Sequence, residues 1–169
     1  KVFAQTLLTT ISSIIVAAAV IVLICSFILP VFKVTGDSMT PTLSKRDYIL
    51  CNKNADIKKG DVIAFYHNRK VLIKRVIGTS NDIINLLDDG TVELNGKKLN
   101  EPYVSEKAVG ETDITYPFTV PESSFFVMGD KRDTSIDSRS TAVGCITEED
   151  IIGKVYMKIL PLGSFGKIK

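Results

Sequence analysis

The 31 residues between Lys1 and Lys33 include no charged side chain. Within them Leu7–Leu29 is mostly Ile, Val, Leu and Ala, with Thr9, Thr10, Ser12, Ser13 and Ser26 its only hydroxyls. As a helix these 23 residues extend about 34 Å, enough for a hydrocarbon core about 30 Å thick. The run holds neither Gly nor Pro, and Pro30 stands where a helix must stop. A buried helix of a soluble core keeps a polar face, and the apolar region of a cleavable signal peptide spans only about 7–15 residues. The run therefore predicts a retained transmembrane anchor in a segment 1–30, followed by a domain 31–169. Lys1 and Lys33 flank the span with equal charge, so the positive-inside count does not choose an orientation. The chain does not begin with Met, and cytoplasmic residues ahead of Lys1 are expected.

Setting Lys1 aside leaves 20 basic against 19 acidic side chains, so the domain is nearly neutral and the mean hydropathy of +0.20 derives largely from the anchor. With no basic stripe and no Trp, a nucleic-acid partner is excluded. Cys25, Cys51 and Cys145 are scattered and join no Cys/His cluster, so neither a metal nor a cofactor is expected. Cys51 and Cys145 could pair or remain ordinary buried thiols. The single histidine, His67, falls in the polar stretch Tyr66–Lys70, read as a hairpin loop, which leaves a Ser-His-Asp triad without a base.

Short β-branched and aromatic runs at Tyr48–Cys51, Asp61–Tyr66, Lys70–Ile77, Ser124–Met128 and Ile151–Ile159 predict strands. Asn95-Gly96 between Thr91–Leu94 and Lys97–Leu99 predicts a two-residue hairpin. Thr147–Asp150 is read as one short helical turn and Lys107–Thr115 as a long surface loop. The expected fold is mostly β: an anchor followed by an antiparallel, barrel-like domain.

Three segments carry the candidate chemistry. Gly36-Asp37-Ser38-Met39-Thr40-Pro41-Thr42-Leu43 reads as a rigid turn exposing the Ser38 hydroxyl. Only eight residues separate Leu29 from Ser38, which holds this serine within about 30 Å of the membrane. In Leu72-Ile73-Lys74-Arg75-Val76-Ile77-Gly78, Ile73 and Arg75 share one strand face and Lys74 points to the other. Burial would lower the Lys74 pKa and make it a general base, whereas an outward, solvated Lys74 would be inert. Gly129-Asp130-Lys131-Arg132-Asp133-Thr134-Ser135-Ile136-Asp137-Ser138-Arg139 is a dense polar loop, read either as solvated or as hydroxyls and ion pairs supporting a site.

Together with Gly60-Asp61-Val62-Ile63, the Asn95-Gly96 hairpin, Glu101-Pro102-Tyr103 and Phe126-Val127-Met128-Gly129-Asp130, these segments occur in the order that resembles the bacterial type I signal peptidases, and the short domain resembles their Gram-positive members. The resemblance implies a membrane-bound serine endopeptidase that removes signal peptides from exported preproteins. It implies Ser38 as nucleophile and Lys74 as its base, with the same lysine protonating the leaving amine. It further implies that Ser135 orients the lysine, that Asp137 and Arg139 form a structural ion pair with Asp130 and Arg132 alongside, and that the Ser38 N–H serves the oxyanion. Cleavage would follow small residues in an Ala-x-Ala pattern, against pockets for which Phe32, Val34, Met39, Ile49, Ile73 and Val76 are the candidates. The expected setting is a monomer in the lipid of the bacterial cytoplasmic membrane, its catalytic domain extracytoplasmic. Gly36, Lys131, Thr134 and Thr79-Ser80-Asn81-Asp82 depart from the family pattern; Lys74, where the endoplasmic-reticulum relatives use His, agrees with the bacterial type.

Rival readings are weaker. A cytosolic self-cleaving repressor-type peptidase has a related dyad but no anchor. Asp133-Thr134-Ser135 lacks the second triplet an aspartic peptidase needs, and Ser164-Phe165-Gly166-Lys167 fits Ser-x-x-Lys only nominally. From another class, a catalytically inactive, membrane-anchored peptide-binding β domain would carry the same motifs.

Overall fold

The computed structural model describes residues 2–168, apart from the side chains of residues 24, 25 and 28. Lys1, Lys169 and the Cys25 thiol lie outside the described residues. The anchor run forms one helix, α1 (Val2–Ile28), which starts five residues before the predicted span and ends just ahead of Pro30. Thr6, Thr9, Thr10, Ser12, Ser13 and Ser26 donate their hydroxyls to carbonyls three or four residues back, so the helix presents almost no free polar group. None of its most apolar stretch is covered by the rest of the chain. Apolar on every side and uncovered over its most apolar window, the helix is long and apolar enough to cross a bilayer.

Every strand pairing in the remainder is antiparallel. The larger sheet comprises β1 (Val31–Lys33), β2 (Tyr48–Asn52), β3 (Val62–His67) and β4 (Lys70–Gly78), then β9 (Ser124–Met128), β10 (Ile146–Thr147), β11 (Ile151–Leu160) and β12 (Gly166–Lys167). Its order is β1-β2-β11-β3-β4-β9-β10, with β12 beside β11. The smaller sheet holds β5 (Ile83–Leu86), β6 (Val92–Leu94), β7 (Lys97–Lys98) and β8 (Phe118–Thr119) in the order β7-β6-β5-β8. The domain is barrel-like only loosely: β1 and β10 end the path without meeting, so no barrel closes. The large sheet does curl: Phe32 of β1 packs on the same apolar cluster as Val71 and Ile73 of β4, although three strands intervene. That curl makes the cleft described below.

Alternation decides where the core lies. Every residue of β9 is buried, with Phe125 and Val127 joining Ile63, Phe65 and Val76 while Phe126 and Met128 join Ile77, Ile84 and Val92. The second of these clusters holds the two sheets together. Asn95 and Gly96 take the positive φ values of 53° and 74° that a two-residue hairpin requires. His67 ends β3 at an exposed hairpin tip, beside the Asn68 amide. Cys51 and Cys145 are free thiols belonging to different apolar clusters, so the pairing option fails. Burial pushes them up to about 12 and about 11 respectively.

Candidate active site

The loop between β1 and β2 is clamped at its base, where the Val34 N–H donates to the Asp47 carbonyl (2.8 Å) and the Arg46 N–H to that of Val34 (2.9 Å). Inside it the Thr40 N–H donates to the Asp37 carbonyl (3.0 Å) and the Leu43 N–H to that of Met39 (2.8 Å), which winds a compact turn. Met39 and Leu43 sink into the core while Asp37 faces solvent, so Ser38 stands half-buried at the rim between them. The Ser38 carbonyl accepts the Lys131 N–H (2.9 Å), tying this turn to the polar loop after β9. Gly129 shows how tight that junction is. A Cβ there would lie 2.2 Å from Ser135 Oγ and 2.6 Å from the Ser38 carbonyl oxygen.

Lys74 lies on β4 in a regular register with β3, so Leu72, Lys74 and Val76 share a face. Leu72 and Val76 pack in an apolar cluster, and Lys74 between them is only 4 % exposed. The solvated alternative for this lysine is thereby excluded. Its Nζ donates to Ser135 Oγ (2.8 Å), and the Ser135 hydroxyl donates in turn to Asp137 Oδ2 (2.6 Å). Since that hydroxyl proton is committed to a carboxylate, Ser135 can only accept from the lysine, which leaves the amine lone pair, once the lysine is neutral, for another partner. Desolvation lowers the Lys74 pKa from 10.5 to about 8; Asp137 and Asp130 oppose that shift and Arg139 adds to it.

Asp137 is wholly buried. Arg139 holds it through Nε–Oδ1 (2.8 Å) and Nη2–Oδ2 (2.9 Å), and the Gly129 N–H donates to Oδ2 (2.8 Å). Burial alone would raise the Asp137 pKa, but the arginine and these donors overcome it and hold the carboxyl below its usual range. The expected Asp137–Arg139 pair is therefore present. Asp130 and Arg132 lie alongside it, each with a partner from elsewhere in the chain. Arg75 grips Asp130 by two hydrogen bonds (2.8 and 2.7 Å), and Arg132 grips Glu101 by two, one of 3.0 Å from Nη1. The reason is placement: Arg75 projects from β4 toward the start of the loop, leaving Arg132 to reach the segment after β7.

A cleft of about 150 Å³ runs between the β1 turn and the first half of β4. Phe32, Val34, Met39, Val71 and Ile73 give it apolar walls, and both Ser38 and Lys74 line it. Two of the proposed pocket residues are misplaced. Ile49 is fully buried inside the cluster beneath β1 and β2, and Val76 is fully buried among Ile63, Phe65 and Val127. Neither lines the cleft: Ile49 sits on β2 directly across from Phe32, and Val76 lies two residues beyond Lys74. The Lys107–Thr115 segment is irregular, as expected, but it is more than a surface loop: Val109 accepts from Arg139 Nη1 (2.6 Å), and Gly110 leaves no room for a Cβ against Arg132 and Arg139. Asp133 is exposed, and Ser164 and Lys167 lie on the C-terminal tail away from Lys74, so the two rival motifs assemble nothing.

With this geometry in view, the chain matches the family model of signal peptidase, peptidase S26, over residues 7–160. The chain belongs to that family. It is 34 % identical over 168 residues to signal peptidase I of Bacillus amyloliquefaciens, covering 93 % of this chain and 90 % of the relative. It is equally 34 % identical over 179 residues to signal peptidase IB of Staphylococcus aureus, with 94 % and 92 % covered. The crystal structure of a signal peptidase I from Enterococcus faecalis V583 superposes with a TM-score of 0.51 at 29 % identity, covering 60 % of this chain and 97 % of that one. These relatives put the chain with the bacterial type I, Gram-positive-like signal peptidases, and so with the serine endopeptidases.

Within this peptidase, sequence reasoning missed Arg75, Glu101, Tyr103, Thr42 and Gly129 as parts of the site's frame. A signal existed for Arg75: it shares a strand face with Ile73 and Ile77, and a charge on an apolar face needs a buried partner. Nothing in one sequence marks Gly129, whose constraint arises only where Ser38 and Ser135 converge.

Proposed function

We propose that this chain is a membrane-anchored endopeptidase that removes signal peptides from exported preproteins with a Ser38–Lys74 dyad. The observation that carries this reading is a desiccated lysine, hydrogen-bonded to Ser135, in the apolar cleft that also holds the turn serine. Neutral Lys74 takes the Ser38 proton as Oγ attacks the scissile carbonyl, whose oxygen gains the Ser38 N–H. Lys74 then protonates the departing amine, and the ester left on Ser38 is hydrolysed by a water that the same lysine deprotonates. Asp137 and Arg139 hold Ser135 and thereby the lysine, while Arg75 and Asp130 fix the strand and loop around it. A cleft this small favours Ala-sized side chains at the first and third positions before the cut, with Phe32, Val34, Met39 and Ile73 as its walls.

The helix fits the role of a single-pass anchor (residues 1–30) of a monomer in the bacterial cytoplasmic membrane, with domain 31–169 on the extracytoplasmic side. Only Leu29, Pro30 and Val31 separate the helix from the cleft wall at Phe32, so a membrane-tethered signal peptide reaches Ser38 without leaving the surface. The test is cleavage of a preprotein bearing an Ala-x-Ala site by the full chain in detergent. Wild type should cut, and Ser38→Ala and Lys74→Ala should not, although both remain folded. Turnover by either variant would end the dyad reading; binding without cutting by wild type would favour the inactive peptide-binding domain.

A further inference from the structure

Glu101-Pro102-Tyr103 has no part in the chemistry above, yet its two polar side chains engage two buried arginines, Arg132 and Arg75. Glu101 meets Arg132 with side-chain exposures of 2 % and 0 %, and Arg132 Nε donates to the Gly129 carbonyl (3.2 Å). The Tyr103 hydroxyl donates to Glu101 Oε1 (3.0 Å), and its ring covers the Arg75 guanidinium at 3.9 Å. Arg75 in turn holds Asp130, the Gly60 carbonyl (2.7 Å) and Thr42 Oγ1 (3.2 Å), while Thr42 donates to Asp130 Oδ2. These residues reach all three pieces of the site. Arg75 follows Lys74, Thr42 closes the Ser38 turn, and Asp130 and Arg132 open the loop leading to Ser135.

We propose that Glu101 and Tyr103 are positioning residues for peptide cleavage, forming one clasp over Arg75 that fixes the Ser38 turn against Lys74. The inference rests on the dyad reading. Buried ion pairs add little net stability over apolar packing, and their best-attested use is to specify one register. Here the register is that of three segments converging from distant parts of the chain. Tyr103 has a second task. It lines an open cavity of about 540 Å³ together with Thr42, Pro102, Lys158 and Phe165, whereas Arg75 and Asp130, each 1 % exposed, do not. The ring is what keeps that cavity's water off the Arg75–Asp130 pair, and a wetter pair lessens the desolvation that keeps Lys74 a usable base.

The experiment is steady-state preprotein cleavage by the full chain in detergent, from about pH 6 to about pH 10, with thermal unfolding followed in parallel. Tyr103→Phe keeps the ring and should stay within about threefold of wild type. Tyr103→Leu should lose about ten- to a hundredfold in kcat with KM changed less than about twofold, and its kcat–pH midpoint should rise. Glu101→Gln, which keeps the shape and drops the charge, should show the same pattern more weakly, and it carries the test if Tyr103→Leu does not fold. A kcat within about threefold of wild type in both, a loss confined to KM, or a loss equal to the unfolded fraction with an unmoved midpoint would each overturn the proposal. If wild type does not cut at all, the dyad reading itself fails, a result visible before any variant is made.

Discussion

A buried lysine with a lowered pKa leaves a mark on stability as well as on rate, and the two can be read independently. The lowering from 10.5 to about 8 means the folded protein strains against the charged amine by about 3 kcal/mol at neutral pH. Between about pH 8 and about pH 10.5 the unfolded chain binds a proton at Lys74 that the native chain does not, so stability rises with pH across that window. Below about pH 8 both states are protonated and the full cost stands. Lys74→Met fills the same space without charge. It loses the hydrogen bond to Ser135, worth about 1 kcal/mol, but Ser135 keeps its bond to Asp137. The variant should therefore be inactive yet more stable by about 2 kcal/mol at pH 7, or about 4–8 °C in Tm. By about pH 10 the gap should have nearly closed, because wild type has by then shed the proton. Circular dichroism melts of the full chain in detergent at the two pH values measure this. A Lys74→Met protein that melts below wild type at pH 7, by a margin unchanged at pH 10, would refute the desolvation argument.

Wild-type kcat/KM should rise about tenfold per pH unit below a midpoint near pH 8 and flatten above it, since only about one lysine in ten is neutral at pH 7; a flat profile in stopped preprotein assays would exclude Lys74 as base. Gly129→Ala should abolish cleavage while the protein still folds, because the new methyl collides with Ser135 Oγ and the Ser38 carbonyl, so a fully active variant would contradict the packing. Ser135→Ala should reduce kcat by about ten- to a hundredfold without ending it, since the lysine loses its orienting acceptor but not its lone pair. Iodoacetamide should label Cys51 and Cys145 slowly in the native protein at pH 8 and quickly after unfolding, as mass spectrometry would show.

Much of the architecture was legible because it is local. Pro30 and the uncharged run define the helix end, Asn95-Gly96 defines a hairpin, and the β-branched runs define the long strands. The short strands β1, β8, β10 and β12 carry two or three residues each and exist only through their neighbours, so no local pattern marks them. The site divides the same way. Motifs point to Ser38, Lys74, Ser135, Asp137 and Arg139 as candidates, but which arginine meets which carboxylate is a property of how β4 and the loop face each other. Chain proximity favours Asp130 with Arg132, and the fold instead sets Arg75 on Asp130 and brings Glu101, from the connection between β7 and β8, to Arg132. Likewise, being apolar and near Ser38 in sequence does not distinguish Phe32 from Ile49; Phe32 lines the cleft from the edge strand β1, while its cross-strand partner Ile49 is buried on β2.

The same pairing explains how a lysine pKa can stay lowered in a region so rich in carboxylates. Asp137 and Asp130 both favour the ammonium form, and either one alone beside Lys74 would hold its proton. Each carboxylate is instead matched by a buried guanidinium, Arg139 for the first and Arg75 for the second, so desolvation is left to decide the outcome. Opposite substitutions in one pair should then move the pH–rate midpoint in opposite directions. Arg139→Gln removes the compensating cation and should shift the midpoint upward, with activity lost at neutral pH and partly regained in alkali. Asp137→Asn removes the anion and should shift it downward, even though its plateau also falls because Ser135 exchanges a carboxylate acceptor for a weaker amide oxygen. Each variant leaves a buried charge short of its partner at a cost of about 3–5 kcal/mol, so both are measured below the melting range established for each. The midpoint is the quantity compared, because it does not depend on how much folded enzyme survives. Midpoints that move together would mean the pair acts on Lys74 through structure alone, and the electrostatic account of the lowered lysine pKa would have to be given up.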